Sequence, residues 1–183
     1  MLFEKKGSAN TEMTLKLAVK RAEELDINHF VVASNTGETV RQLLKLVPGQ
    51  SVVCVTHHTG FAKPGEQEMP PEVREELIKA GVQVLTTTHL LGGVDRGVEN
   101  KFGGTYPAGI IAHTLRMLGQ GVKVGVEIAA MALDAGMIPY GKDVIAIGGS
   151  GRGADTAMVV CPAHAKDFFE GRVREIICKP RNF

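Results

Sequence analysis

The sequence predicts an α/β fold, a three-layer α/β/α sandwich around a mostly parallel sheet. Short runs rich in β-branched residues recur along the chain, apolar at every position rather than at alternate ones, as strands buried on both faces require. Amphipathic stretches of helical period separate them, and that alternation builds parallel strands joined by helices across the sheet faces. The third observation is size: 183 residues with 44% hydrophobic content suffice for one well-buried core, so residues 1–183 are expected to form a single domain.

The elements follow in order. Thr14, Leu15, Leu17, Ala18, Ala22 and Leu25 form an apolar helical stripe with Asn10 or Thr11 placed to cap it, so the chain is expected to open with a helix. His29-Phe30-Val31-Val32-Ala33 reads as the first strand, Glu38 to Lys45 as a helix, and Ser51 to Thr56 as the second strand. Pro70-Pro71-Glu72 begins a helix through Lys79: proline has no N–H to leave unpaired, an acid in the first turn suits the helix dipole, and Gly81 is the stop. Val82 to Thr86 is the next strand. The span from Thr87 to Thr105 is polar, glycine-rich and too long for an ordinary connection, which makes residues 86–105 a lid candidate. Helices over about 107–118 and 122–135, divided by Gly119 and Gly121, are expected to pack as a pair. Asp143 to Gly148 is a strand feeding a second glycine-rich loop, and Thr156–Cys161 and Glu175–Lys179 complete the set.

Composition narrows the function classes. A net charge of +1 from 21 basic and 20 acidic residues provides no global field toward nucleic acid or an anionic membrane, so any anion site must be local. Aromatics are 5% with no tryptophan, a poor basis for a base-stacking platform. No apolar run reaches transmembrane length and the first residues lack the apolar core of a signal peptide, so a cytoplasmic location is expected. Cys54, Cys161 and Cys178 are odd in number, widely spaced and set in apolar runs, which reads as buried free thiols rather than a metal or disulfide site.

In a parallel sheet, ligands sit beyond the carboxyl ends of the strands, so the loops at 34–39, 57–68, 86–105 and 148–155 are expected to share one edge. Ser34-Asn35-Thr36-Gly37-Glu38-Thr39 follows a strand and opens a helix: backbone N–H groups and the hydroxyls of Ser34, Thr36 and Thr39 face an anion there, and Gly37 permits close approach. Its spacing resembles the loop with which flavodoxins grip the phosphate of flavin mononucleotide (FMN). Without a lysine it is not a P-loop, and simple helix capping is the competing interpretation. Gly149-Ser150-Gly151-Arg152 offers a guanidinium fork and a hydroxyl for phosphate or carboxylate, with a glycine-rich hairpin carrying a solvated Arg152 as the alternative. His57, His58 and His89 lie at successive strand ends, with His58 and Thr87 expected to line the ligand; no constellation with zinc-ligand geometry accompanies them. Asp95, Arg96, Glu99 and Lys101 form a charge cluster whose default is solvation. Glu127 sits among apolar helix residues and either faces the core with a partner or pairs with Lys123 on the helix surface.

Glu127-Ile128-Ala129-Ala130-Met131-Ala132-Leu133-Asp134-Ala135-Gly136, then Val144 to Gly148, Gly151-Arg152-Gly153-Ala154-Asp155-Thr156-Ala157 and Glu175 to Pro180, resemble the stand-alone proteins similar to the pyruvate kinase C-terminal domain. The likeness extends through nearly the whole chain. It implies a three-layer α/β/α domain, and it puts the hydroxyl loop where pyruvate kinases hold a Ser/Thr-rich loop for phosphorylated effectors. It does not imply pyruvate kinase activity, which resides in a barrel domain too large for this chain. The polar sequence at 86–105 departs from the enzyme's effector domain.

The expected function is therefore binding of a phosphorylated small molecule, FMN being the best candidate, by Ser34, Asn35, Thr36, Gly37 and Thr39 at the phosphate and Gly149, Ser150, Gly151, Arg152, His58 and Thr87 around the rest. A sensing module for a sugar phosphate or nucleotide, and an enzyme using a histidine as acid or base, are the alternatives. Neither nucleic acid nor membrane is expected as a partner. Self-association is plausible through the helices at 107–135 and the apolar C-terminal strand.

Overall fold

A computed structural model describes residues Met1–Phe183. Seven strands form one sheet in the order β1-β7-β6-β5-β2-β3-β4. They are β1 (Leu2–Lys5), β2 (His29–Ala33), β3 (Ser51–Val55), β4 (Gln83–Leu85), β5 (Val144–Gly148), β6 (Thr156–Cys161) and β7 (Arg172–Asn182). The helices are α1 (Thr11–Glu24), α2 (Glu38–Leu44), α3 (Pro71–Lys79), α4 (Gly93–Phe102), α5 (Pro107–Arg116) and α6 (Gln120–Asp134). Strands β5, β2, β3 and β4 run parallel, β1 is parallel to β7, and β6 is antiparallel to both its neighbours.

Every residue of β5 is buried, as are three of five in β2, because both sheet faces are covered. Side-chain alternation then sorts the core into two. Phe30, Val32, Cys54, Ile145 and Ile147 pack against Leu15 and Ala18 of α1, Val40 and Leu43 of α2, and Val73 and Leu77 of α3. Val31, Val53, Val144, Ala146 and Met158 face Val122, Ile128, Ala129, Ala132 and Leu133 of α6. Burying a side chain such as Phe30 contributes roughly 1.5–3 kcal/mol. The chain advances β2 to β3 to β4 with helices on one face, then returns along the other face through α4–α6 to β5. Right-handed crossovers require that change of face.

Three expectations change. The chain opens with a strand, β1, which pairs with a C-terminal strand much longer than 175–179; Leu2 sits beside Lys179 and Phe3 beside Pro180. Asn10 makes no side-chain cap for α1 and instead donates to the Lys5 carbonyl at 2.7 Å, tying the helix start to β1. The 86–105 span is not a loop throughout: α4 occupies Gly93–Phe102 with no buried residue. Its glycines masked a helical pattern whose exposure on all but one stripe left little apolar signal. Within the helices at 107–135, eleven α6 residues are buried against the sheet, whereas α5 buries only Ala112 and leaves Ile110 exposed; Ile177 and Cys178 lie inside the β7 pairing. No helix is long and apolar enough to cross a membrane.

Candidate functional site

The carboxyl ends of β2, β3, β4 and β5 lie along one edge, with the loops at 34–37, 56–70, 86–92 and 149–155 beyond them. Strand β2 continues toward β3 on one side while β5 turns into β6 on the other, so the chain diverges between β2 and β5. In open α/β sheets ligands bind at such a divergence. Val32 pairs with Ile147 at the end of the β2–β5 ladder, so the loops that follow Ala33 and Gly148 leave from neighbouring strand ends.

The first loop runs from β2 directly into α2, as its spacing predicts. Ser34 extends the ladder by donating its N–H to the Val55 carbonyl at 3.0 Å. Gly37 is the N-cap of α2 with φ +83°, and no side chain caps the helix, so the first-turn N–H groups of α2 have no capping partner. A Cβ on Gly37 would lie 2.6 Å from Val73 Cγ1, so this glycine serves the packing of α2 against α3 as well as the turn. Its missing Cβ would point into the core. Ser34 and Thr39 are buried, whereas Thr36 is exposed. The hydroxyl at the surface of the loop is therefore that of Thr36.

Asn35 is engaged by its neighbour. Its Oδ1 accepts the backbone N–H of His57 at 2.9 Å, and its amide nitrogen lies 3.1 Å from His57 Nε2. His57 Nδ1 sits 2.5 Å from Glu68 Oε2. The three histidines do converge: the His89 ring is 5.4 Å from that of His57 and 5.2 Å from that of His58, and the exposed Phe61 stacks on His57 with centroids 3.7 Å apart. Burial holds His89 below the 6.5 of a free imidazole, against the opposing pull of the Glu127 carboxylate, so it is neutral at pH 7. Thr87 is exposed on the same strand-end loop. No group of three or more His, Cys, Asp or Glu side chains is arranged to hold a metal ion.

Beneath the histidines lies the buried ion pair of Lys123 and Glu127, one helical turn apart on α6. Glu127 Oε1 also accepts the Leu91 N–H at 2.8 Å, pinning the chain beyond β4 to α6. Both readings of Glu127 thus meet in one arrangement, a core-facing acid whose partner is Lys123.

The second loop is the tip of the β5–β6 hairpin, and Arg152 is exposed there without an ion-pair partner. Its base is held by Asp155, which is fully buried: one carboxylate oxygen accepts the N–H groups of Gly7 at 3.0 Å and Ser150 at 3.1 Å, and the other accepts the Thr156 hydroxyl at 2.9 Å. Thr11 Oγ1 accepts the Ala154 N–H at 3.0 Å, and a Cβ on Gly153 would lie 2.4 Å from that oxygen. The glycine content therefore seats the hairpin against the start of α1. Ser150 Oγ is buried without a partner. Asp155 and Glu68 were not singled out from sequence; an acid directly after a Gly-rich loop and an acid eleven residues beyond a histidine carry no distinctive spacing.

The charge cluster resolves into separate tasks. Asp95 Oδ2 accepts the Ala108 N–H at 2.9 Å, and Arg96 pairs with Glu99 at 3.3 Å. A cleft of about 420 Å³ opens at the opposite, amino-terminal edge between Val19, Ile27, Phe30 and Val47, and none of the loops at the carboxyl ends of the strands lines it.

The profile of the pyruvate kinase alpha/beta domain matches residues 12–160. Among solved structures, the chain is similar to a pyruvate kinase from Cryptosporidium parvum at 21% identity and TM-score 0.44, covering 86% of this chain and 24% of that one. A second structure of pyruvate kinase from Cryptosporidium parvum matches at 20% identity and TM-score 0.43, covering 86% and 24%. A third, in complex with ADP, matches at 21% and 0.46, covering 86% and 25%. The chain spans about a quarter of the length of these enzymes.

Proposed function

The chain belongs to the pyruvate kinase alpha/beta domain family, and from that premise we propose that it binds a phosphorylated small molecule at the carboxyl edge of its sheet. One observation carries this reading: the uncapped first turn of α2 and the unpaired Arg152 lie on neighbouring loops where β2 and β5 diverge. N–H dipoles at a helix start and a guanidinium fork are complementary to a phosphate dianion. Thr36 adds a surface hydroxyl. Ser34, Gly37 and Thr39 shape the loop, and Gly149, Ser150 and Gly151 carry Arg152.

FMN is the first ligand to test. The loop follows a strand and opens a helix in the order a flavin phosphate loop needs, and exposed Phe61 with the His58 and His89 rings offers flat surface beyond it. Titration of the purified apo-protein with FMN, followed by flavin fluorescence, is the direct test. Saturable binding that weakens in Arg152→Ala and Thr36→Ala supports it. No flavin binding at high micromolar concentration, together with binding of a sugar phosphate or nucleotide in a thermal-shift panel, removes the flavin and leaves a sensing module. No binding of any phosphate ester removes the proposal.

A further inference from the structure

Asn35, in the middle of the proposed phosphate loop, is held by a side chain from the next strand end, and the hydrogen bonds determine the proton positions. The backbone N–H of His57 donates to Asn35 Oδ1 at 2.9 Å, so the other terminal atom of Asn35 is the amide NH2. That group has only hydrogens to offer, so His57 Nε2, 3.1 Å away, must be the acceptor. The proton of the neutral ring is then on Nδ1, which donates to Glu68 Oε2 at 2.5 Å. Both ring nitrogens are used, one ring face is covered by Phe61, and the supporting turn is closed by Gly60 donating to the Glu66 carbonyl at 2.8 Å.

We propose that Glu68 and His57 are positioning residues for the phosphate loop, holding Asn35 and the chain around it in one conformation through the relay Glu68–His57–Asn35. This rests on the reading of Ser34–Thr39 as the phosphate loop. The relay assigns different work to the three histidines. His57 has no free nitrogen and does not contact ligand or exchange protons with it. His58, whose Nδ1 lies 2.8 Å from the Thr59 carbonyl, and His89 are the imidazoles left at the mouth of the site. It also explains why an arm from β3 reaches over to β2: without it, Asn35 would turn freely and the loop would lose a fixed anchor before any ligand arrives.

The experiment uses the full-length protein labelled with nitrogen-15, FMN as the probe, and the variants Glu68→Ala and Glu68→Gln, at a side chain that is partly exposed. Long-range proton–nitrogen spectra of the free wild type at pH 7.5 are expected to show His57 as the Nδ1–H tautomer. Glu68→Ala is expected to lose that preference, shift the backbone amides of residues 34–39, and weaken FMN roughly tenfold, the effect of one lost partner. Glu68→Gln keeps an acceptor carbonyl and is expected to restore all three. A His57 that is Nε2–H in the wild type overturns the relay whatever binds. So does a Glu68→Ala protein with unmoved loop amides, or one that moves them yet binds FMN as tightly as wild type. If the wild type binds no FMN, the flavin reading fails on its own, and the tautomer and loop amides still decide the relay.

Discussion

Lys123 and Glu127 form an ion pair one helical turn apart with side chains only 8% and 5% exposed, and the glutamate's second oxygen accepts the N–H of Leu91. Removing either charge strands the other in a low-dielectric core. Lys123→Met is expected to cost about 3–5 kcal/mol in urea unfolding. The double variant Lys123→Met with Glu127→Gln is expected to recover most of that, because neither charge remains and the glutamine still accepts from Leu91. A double variant no better than the single one would show that the pair contributes little beyond packing.

Gly37 combines a left-handed backbone with a Cβ direction that points at Val73. Gly37→Ala is expected to destabilise by both routes, about 1–2 kcal/mol from the backbone and a further overpacking cost against α3. Adding Val73→Ala relieves only the second. Chemical denaturation of both single variants and the double separates strain from clash, since Val73→Ala alone leaves a cavity: additive costs would mean that Val73 already moves aside.

The Asp155 carboxylate has no cation near it in the core and is satisfied by two N–H groups and a hydroxyl. Asp155→Ala leaves those donors unpaired, at about 1–3 kcal/mol or more. Hydrogen exchange is expected to speed up first at Gly7 and Ser150, the two amides it accepts, and FMN affinity to fall with the loosened Arg152 loop. Unchanged exchange there would disprove its organising role.

His89 is held below an ordinary imidazole by burial, with Glu127 opposing. Because the unfolded chain takes up the proton first, this group's contribution is complete above about pH 6.5 and is lost as the pH falls through the folded value. Urea midpoints at pH 7.5 and 5 are expected to differ less in His89→Gln than in wild type. Carbon-bound proton shifts should show the His89 midpoint dropping further in Glu127→Gln.

Burial pushes the Cys54 thiol up to about 12 and raises Cys178 as well, so neither presents a thiolate in the native state. Cys161 is half-buried. A thiol reagent is expected to modify Cys161 first, and the other two at the rate of unfolding. Rapid native labelling of Cys54 would contradict the packing of β3.

The central strands were legible because both their faces are covered, which writes continuous apolar runs such as Val31-Val32 and Val144 to Gly148 into the chain. Helix α3 was legible from Pro71 and Gly81. Strand β1 was not: four residues with one buried side chain, Phe3, carry almost no pattern, and its partner lies at the far end of the chain. Helix α4 was hidden for a related reason, since it buries nothing.

The same division runs through the site. Local chemistry alone determined the fold class, the family and the strand–loop–helix setting of the hydroxyl loop, because spacing and side-chain type are properties of neighbouring residues. Only the tertiary structure decided that Gly37 faces Val73, that Asp155 ties the hairpin to Gly7, that Glu127 is buried with Lys123, and that Asn35 answers to His57 and Glu68. Gly7 and Asp155 lie 148 residues apart, and they, like Asn35 and His57, meet because parallel strands bring their carboxyl ends to one edge.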